Sequence, residues 1–223
     1  MRRDGEKILV IAPHPDDEVL GCGGTIARYV REGNEVYLCI VTKVYPPEWS
    51  EEFLKNRPKE IEKANKILGI KQTYFLDFPT AKLDTISQKK LNDSLSAVVK
   101  KVKPTVVYLP YRGDIHQDHP FIFRSALIAM RPVNNYFVKR ILSYETLSET
   151  EWGYPRSFQP TVYVDISDTI ETKIEAMRAY TSELKEYPHP RSTEIIEAFA
   201  KKRGSEVGLR YAEAFELIRE IVE

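Results

Sequence analysis

Apolar positions fall into short unbroken runs and longer periodic stretches along this chain. Ile8 to Ala12 is apolar throughout and rich in β-branched residues, the pattern of a central strand buried on both faces. Pro13 to Asp16 break it. From Asp17 to Arg31 the apolar residues Ile26, Tyr29 and Val30 share one side, which predicts a helix stopped at Gly33-Asn34. Glu35 to Thr42 reads as the next strand. Lys43 to Lys55, with Pro46-Pro47 and an isolated Trp49, reads as a long loop. Pro58 to Leu68 predicts a helix ended by Gly69, and Thr73 to Leu76 a short strand. A helix over Ser87 to Val102 ends before Pro104, and Thr105 to Leu109 is again a buried strand, closed by Pro110. Beyond it, Ile141 to Glu145 and Thr161 to Ile166 are predicted strands, Leu147 to Pro160 a polar, aromatic loop, and the rest to Glu223 mostly helical. Strand and helix alternating in this way predict an α/β fold, a mostly parallel central sheet with helices on both faces.

Composition narrows the picture. The 223 residues fit one domain with a core large enough to need no disulfides. Lys and Arg total 33, as do Asp and Glu, so no global positive field draws nucleic acid or an anionic membrane. The cluster Lys100, Lys101 and Lys103 reads as a solvated helix end. Cys22 and Cys39 form no disulfide framework. The start, Met1 to Lys7, is charged, and no apolar run is long enough for a signal-peptide core or a membrane span, which predicts a cytoplasmic protein.

In open α/β sheets ligands bind beyond the carboxyl ends of the strands. Two motifs sit there: Pro13-His14-Pro15-Asp16-Asp17-Glu18 after the first strand, and His116-Gln117-Asp118-His119 after the strand ending near Leu109. Three of the four histidines lie in these motifs. Imidazole and carboxylate suit a catalytic zinc site, which needs three protein ligands and an open position. His14 and Asp17, three apart at a strand-to-helix turn, can face one point, and His119 can complete a triad. Asp16 and His116 are then left beside the metal, a carboxylate to take a proton and an imidazole to stabilise an oxyanion or protonate a leaving amine. The bland alternative is a helix cap, with Asp16 or Asp17 accepting from early helix N–H groups.

The run Pro13 to Thr25, the His-x-Asp-His of His116, Asp118 and His119, and Arg57 with Glu60 before Leu68-Gly69 resemble the LmbE-like, or PIG-L-like, zinc deacetylases. Arg203-Gly204, Gly208 and Tyr211 to Phe215 resemble the family's closing segment. This resemblance implies a single Rossmann-like domain over 1–223 that hydrolyses the N-acetyl group of an N-acetylglucosamine-type amino sugar or its conjugate. It implies zinc on His14, Asp17 and His119, Asp16 as general base, and His116 as electrophilic or acid partner oriented by Asp118. It places Arg57 and, by a looser match, Asp77 against substrate. It also implies a small-molecule amino-sugar partner and a homo-oligomer, a trimer or hexamer. Fe²⁺ suits the same donors as Zn²⁺. The segment from Lys173 to Glu183 departs from the family pattern by carrying Glu183 where Gln is usual. Two other functions stay open: a zinc amidase for a non-sugar acylated amine or thiol conjugate, which would release an acid other than acetate, and a metal-free nucleotide-binding or scaffold module.

Weaker signals have plainer explanations. The spacing of Gly21-Cys22-Gly23-Gly24 fails the dinucleotide pattern and reads as close helix packing, with Cys22 buried. His189 between Pro188 and Pro190 reads as a rigid surface turn. The loops carrying Trp49, and Trp152 with Tyr154, read equally as a lid or sugar platform and as ordinary anchored loops.

Overall fold

The computed structural model describes residues 5–133 and 137–222. Met1 to Asp4 of the charged start, and Glu223, lie outside the described residues. Seven strands form one sheet in the order β3-β2-β1-β4-β5-β7-β6. The strands are β1 (Lys7–Ala12), β2 (Glu35–Lys43), β3 (Gln72–Pro79), β4 (Val106–Pro110), β5 (Arg140–Tyr144), β6 (Val162–Asp165) and β7 (Ala212–Glu220). The helices are α1 (Asp17–Arg31), α2 (Glu51–Leu68), α3 (Gln88–Val102), α4 (Asp118–Ala129), α5 (Ile170–Ala179) and α6 (Thr193–Ser205). The first five strands pair in parallel, and β7 runs antiparallel between β5 and β6.

The expected mostly parallel α/β sheet is therefore present, and the continuous apolar runs explain it. Ile8, Val10, Leu38 and Ile40 face a core completed by α1, α2 and α5. Leu9, Ile11, Cys39 and Val41 face the opposite core, completed by α3 and α4. Strands sandwiched between two helical layers have no solvated face, so no polar alternation marks them.

Two local expectations are corrected. The chain after Ile166 is not mostly helical, because Ala212–Glu220 is a strand. Its Ala, Glu and Leu residues favour a helix locally, but pairing on both sides with β5 and β6 overrides that preference. Helix α2 begins at Glu51 rather than near Pro58, so the loop from Lys43 is shorter than its composition implies. Ser50 caps α2 by accepting from the Phe53 N–H at 3.2 Å, and Pro58 lies inside the helix.

The glycines of α1 are packing positions. A Cβ on Gly21 would lie 2.2 Å from the Tyr144 ring, and one on Gly24 would lie 2.8 Å from Ile166. Strand β7 fastens the same turn: Glu213 accepts the Gly24 and Thr25 N–H groups at 3.0 and 2.7 Å. Buried Lys173 donates to Glu213 and to the Leu20 carbonyl. Removing one member of a buried ion pair leaves a charge without its partner. Lys173→Met is expected to lower the unfolding free energy by about 3–5 kcal/mol, read from denaturant melts; an unchanged midpoint would remove this clamp from the fold's stability.

Candidate metal centre and catalytic cleft

The order of strands reverses between β1, which continues to β2, and β4 on its other side. Crevices open at such switch points, and both histidine motifs meet here. His14 leaves the end of β1, Asp17 opens α1, and His119 sits in the first turn of α4. Ligand atoms of these three lie within 4.8 Å of one another. The Asp17 carboxylate is the hub: its Oδ2 lies 3.3 Å from His14 Nδ1 and 3.5 Å from His119 Nε2. It also accepts the His14 backbone N–H at 2.8 Å, which closes the turn.

The helix-cap alternative fails on geometry. Asp16 occupies the N-cap position of α1, yet its side chain makes no capping bond. Its φ of 110° lies in the left-handed region, where a residue with a Cβ is strained by about 1–3 kcal/mol. The strain is held by neighbours. Glu18 accepts the Asp16 N–H at 3.0 Å, and Tyr180 donates to Glu18 at 2.6 Å. Burial pushes the Glu18 carboxyl up to about 7.

Each histidine of the triad carries a carboxylate on its outer nitrogen. His14 Nε2 bonds Asp118 at 2.9 Å and His119 Nδ1 bonds Asp114 at 2.7 Å. This arrangement fixes ring orientation and tautomer at metal sites. Burial opposes charge on His14, yet Asp118 and Asp17 outweigh it and raise its pKa to about 9. Burial alone would raise Asp17, but the two imidazoles beside it hold it well below the usual range. The pocket therefore favours positive charge, whether on protons or on a metal ion. His119 Nε2 is fully buried and has no hydrogen-bond partner among the described residues. A buried, unpartnered nitrogen beside a carboxylate and a second imidazole fits a cation, and the donor set suits zinc. A second group, His14, His116 and Asp118, also meets the distance condition, but there Asp118 already engages His14 Nε2.

The remaining expected residues are placed as follows. Asp118 accepts from His14, from the Ala81 N–H at 2.8 Å and from Thr80. Its carboxylate is 3.9 Å from His116 Nδ1, so its bond goes to His14 and not to His116. His116 instead accepts the Asp118 backbone N–H at Nδ1, 3.2 Å away, which puts its single neutral-state proton on Nε2. Burial, with His14 nearby, lowers the His116 pKa to about 4, so the ring is neutral at pH 7. Arg57 donates to the Pro15 carbonyl at 2.6 Å and to Ser182 at 3.0 Å. Asp77 stands at the exposed rim, 3.6 Å from Lys43.

Three residues that matter here carried no signal in the sequence. Asp114 braces His119. Arg191 donates to Asp16 at 3.2 Å and to Glu183 at 2.8 Å. Glu149 lies 3.4 Å from Arg191 and lines the cleft. Glu183, the departure from the family pattern, bridges Arg191 and Arg57, 3.1 Å from the latter. Burial pushes the Asp16 carboxyl up, against the opposing pull of Arg191. Among the aromatic loop residues, Trp49 lines the cleft, whereas Trp152 is half exposed and packs edge-on against His189. His189 sits in a turn, donating its N–H to the Glu186 carbonyl.

The chain is 27% identical over 226 residues to a diacetylchitobiose deacetylase of Thermococcus kodakarensis, covering 96% of this chain and 84% of that one. It is 32% identical to an uncharacterized deacetylase of Escherichia coli over 78% of this chain and 90% of the relative. A solved structure of a conserved protein from Thermus thermophilus superposes with a TM-score of 0.81 at 29% identity, covering 98% of this chain and 97% of that one. The profile of the GlcNAc-PI de-N-acetylases matches residues 9–130, the span that carries both histidine motifs. Both histidine motifs that converge at the switch point lie within that match, and the chain belongs to the PIG-L family, the GlcNAc-PI de-N-acetylases.

Proposed function

We propose that this chain is a zinc-dependent deacetylase that hydrolyses the N-acetyl group of an N-acetylglucosamine-type amino sugar, with His14, Asp17 and His119 as metal ligands. One observation carries the reading: His14, Asp16 and His116 line the head of a single cleft, and Asp17 and His119 gather with His14 just beneath it. Relatives named as deacetylases of diacetylchitobiose and of N-acetylglucosaminyl malate support the sugar class.

Zn²⁺ held by the triad supplies Lewis acidity toward a water and an amide carbonyl. The chain's own residues do the rest. Asp16 accepts the proton of the attacking water; its strained backbone and the Arg191 contact aim its carboxylate. Neutral His116 presents its Nε2–H to the carbonyl oxygen as negative charge develops there. Asp118 and Asp114 hold the two metal-side imidazoles. Arg57 braces the Pro15 carbonyl, which fixes the turn between His14 and Asp16, and presents its face to the cleft. Asp77, at the exposed rim, accepts from a sugar hydroxyl in this reading. The tetrahedral intermediate then collapses as the proton taken up by Asp16 passes to the amide nitrogen and the C–N bond breaks, giving acetate and a free amine.

Among the described residues no helix is long and apolar enough to cross a membrane. Residence in the cytoplasm belongs to the same reading on the charged start and the short apolar runs, and assembly into a trimer or hexamer on the family resemblance.

The test is acetate release from a panel of N-acetylglucosamine derivatives by the chelated protein, with and without added Zn²⁺ or Fe²⁺. Activity is expected to vanish with chelator and return with zinc. Release of a larger acid from non-sugar amides, with no acetate from any sugar, would replace this reading by the amidase.

A further inference from the structure

The cleft is far larger than its catalytic head. It encloses about 970 Å³, at the upper end of the roughly 300–1,000 Å³ of small-molecule sites. Its walls change character with distance from the triad. Near Asp16 and His116 the lining is charged: Arg57, Glu149, Glu183 and Arg191. Between α2 and the sheet it becomes mostly apolar, with Phe53, Leu54, Pro58 and Ile61 of α2 facing Ile40 and Phe75 of the sheet, and Glu62, Asn65 and Lys66 close its far end.

The sequence explains this second half. On β3, Tyr74, Leu76 and Phe78 point to the α3 side and pack into that core. Thr73, Phe75 and Asp77 alternate to the other face, where α2 stands away from the strand, and all three line the cleft. Phe75, paired with Ile40 across the ladder, is 52% exposed. A bond from Asn65 Nδ2 to Thr73 Oγ1, 2.9 Å, bridges α2 and β3 at the far end. The apolar lining of α2 runs from Phe53 to Ile61, over which the helix advances about 12 Å, so the apolar gallery is about two turns long and adjoins the charged head of the cleft.

We infer that this gallery takes an apolar, extended aglycone, an alkyl, isoprenoid or aryl group on the anomeric carbon of the acetamido sugar. The inference rests on the deacetylase reading and names the substrate class of the same site. Order along the cleft selects the aglycone over a long acyl chain. An acyl chain leaves from the carbonyl carbon, which sits among Asp16, His116 and Arg191, where the lining is charged. The anomeric substituent leaves one ring width further on. Ile61 lies one turn beyond Arg57, about 6 Å along the helix, which is close to the width of a pyranose.

The test uses the zinc-loaded full chain and methyl, butyl and octyl glycosides of N-acetylglucosamine, with N-butyryl and N-octanoyl glucosamine as the acyl series. Each buried methylene is worth about fourfold in binding. The octyl glycoside is expected to exceed the methyl glycoside at least tenfold in kcat/KM, through KM, and Phe75→Asp is expected to collapse that ratio. A flat aglycone series on an active enzyme overturns the inference and leaves the deacetylase reading standing. A gain confined to the acyl series overturns it in favour of an acyl gallery. A changed oligomeric mass in Phe75→Asp, with a flat series, overturns it by assigning the face to a second copy of the chain. If no sugar releases acetate, the deacetylase reading fails on its own, and calorimetry still decides the gallery. In that case octyl glucoside binding at least tenfold tighter than methyl glucoside supports an apolar arm, and equal binding overturns it.

Discussion

Asp16→Asn is expected to lower turnover by roughly 10²–10⁴-fold, the range for a positioned acid or base, while one metal per chain is retained. The asparagine keeps the size of the side chain but cannot hold a proton taken from water. Asp16 makes no contact that the ligand triad needs: its carboxylate is engaged by Arg191, and its backbone by Glu18. Loss should therefore appear in kcat, with KM and metal content near those of the parent. Steady-state kinetics paired with elemental analysis separates the two. Near-normal turnover in this variant would remove Asp16 from the mechanism, and loss of metal would make it a positioning residue for the centre.

His119→Ala is expected to lose both metal and activity. His119 is fully buried, and its Nε2 is the triad atom left without a hydrogen-bond partner among the described residues. Truncation removes a proposed ligand and leaves Asp114 and Asp17 facing each other across a cavity without an imidazole between them. Leaving a buried carboxylate unsatisfied is also destabilising by about 1–3 kcal/mol, so a lower melting temperature accompanies the loss. Asp114→Asn separates ligation from folding, because it keeps the imidazole and removes only its brace. That variant should bind zinc about 10–100-fold more weakly and recover activity as zinc is raised. Full metal content in His119→Ala would refute the assignment of this residue as a ligand.

Much of this architecture was legible because its signals are local. Ile8 to Ala12 and Val106 to Leu109 announce central strands by being apolar at every position, and both are fully sandwiched between helical layers. The two histidine motifs were legible because their residues are separated by one helical turn or less. What failed depended on distance. Ala212–Glu220 reads as helix until β5 and β6 are known to flank it. Arg191 lies 175 residues from Asp16 in sequence and comes from a proline-rich turn with no spacing to mark it. Asp114 stands beside the second motif, but a lone acidic residue in a loop has no periodicity to distinguish it. The role of Asp118 also turned on long-range geometry, since its bond to His14 spans 104 residues.

The placement of β7 bears on the order in which the molecule matures. A chain is made from its N-terminus at about 5–20 residues per second, so the triad residues are all synthesised within the first 119 positions. Yet β6 has only β7 as its ladder neighbour, and the Gly24 and Thr25 amides within α1 are met by Glu213. A nascent chain that has exposed every proposed ligand still lacks the strand that closes the sheet and ties down the helix beginning at Asp17. The proposed metal centre is thus written early and finished late, its fastening delivered by β7, about a hundred residues after His119.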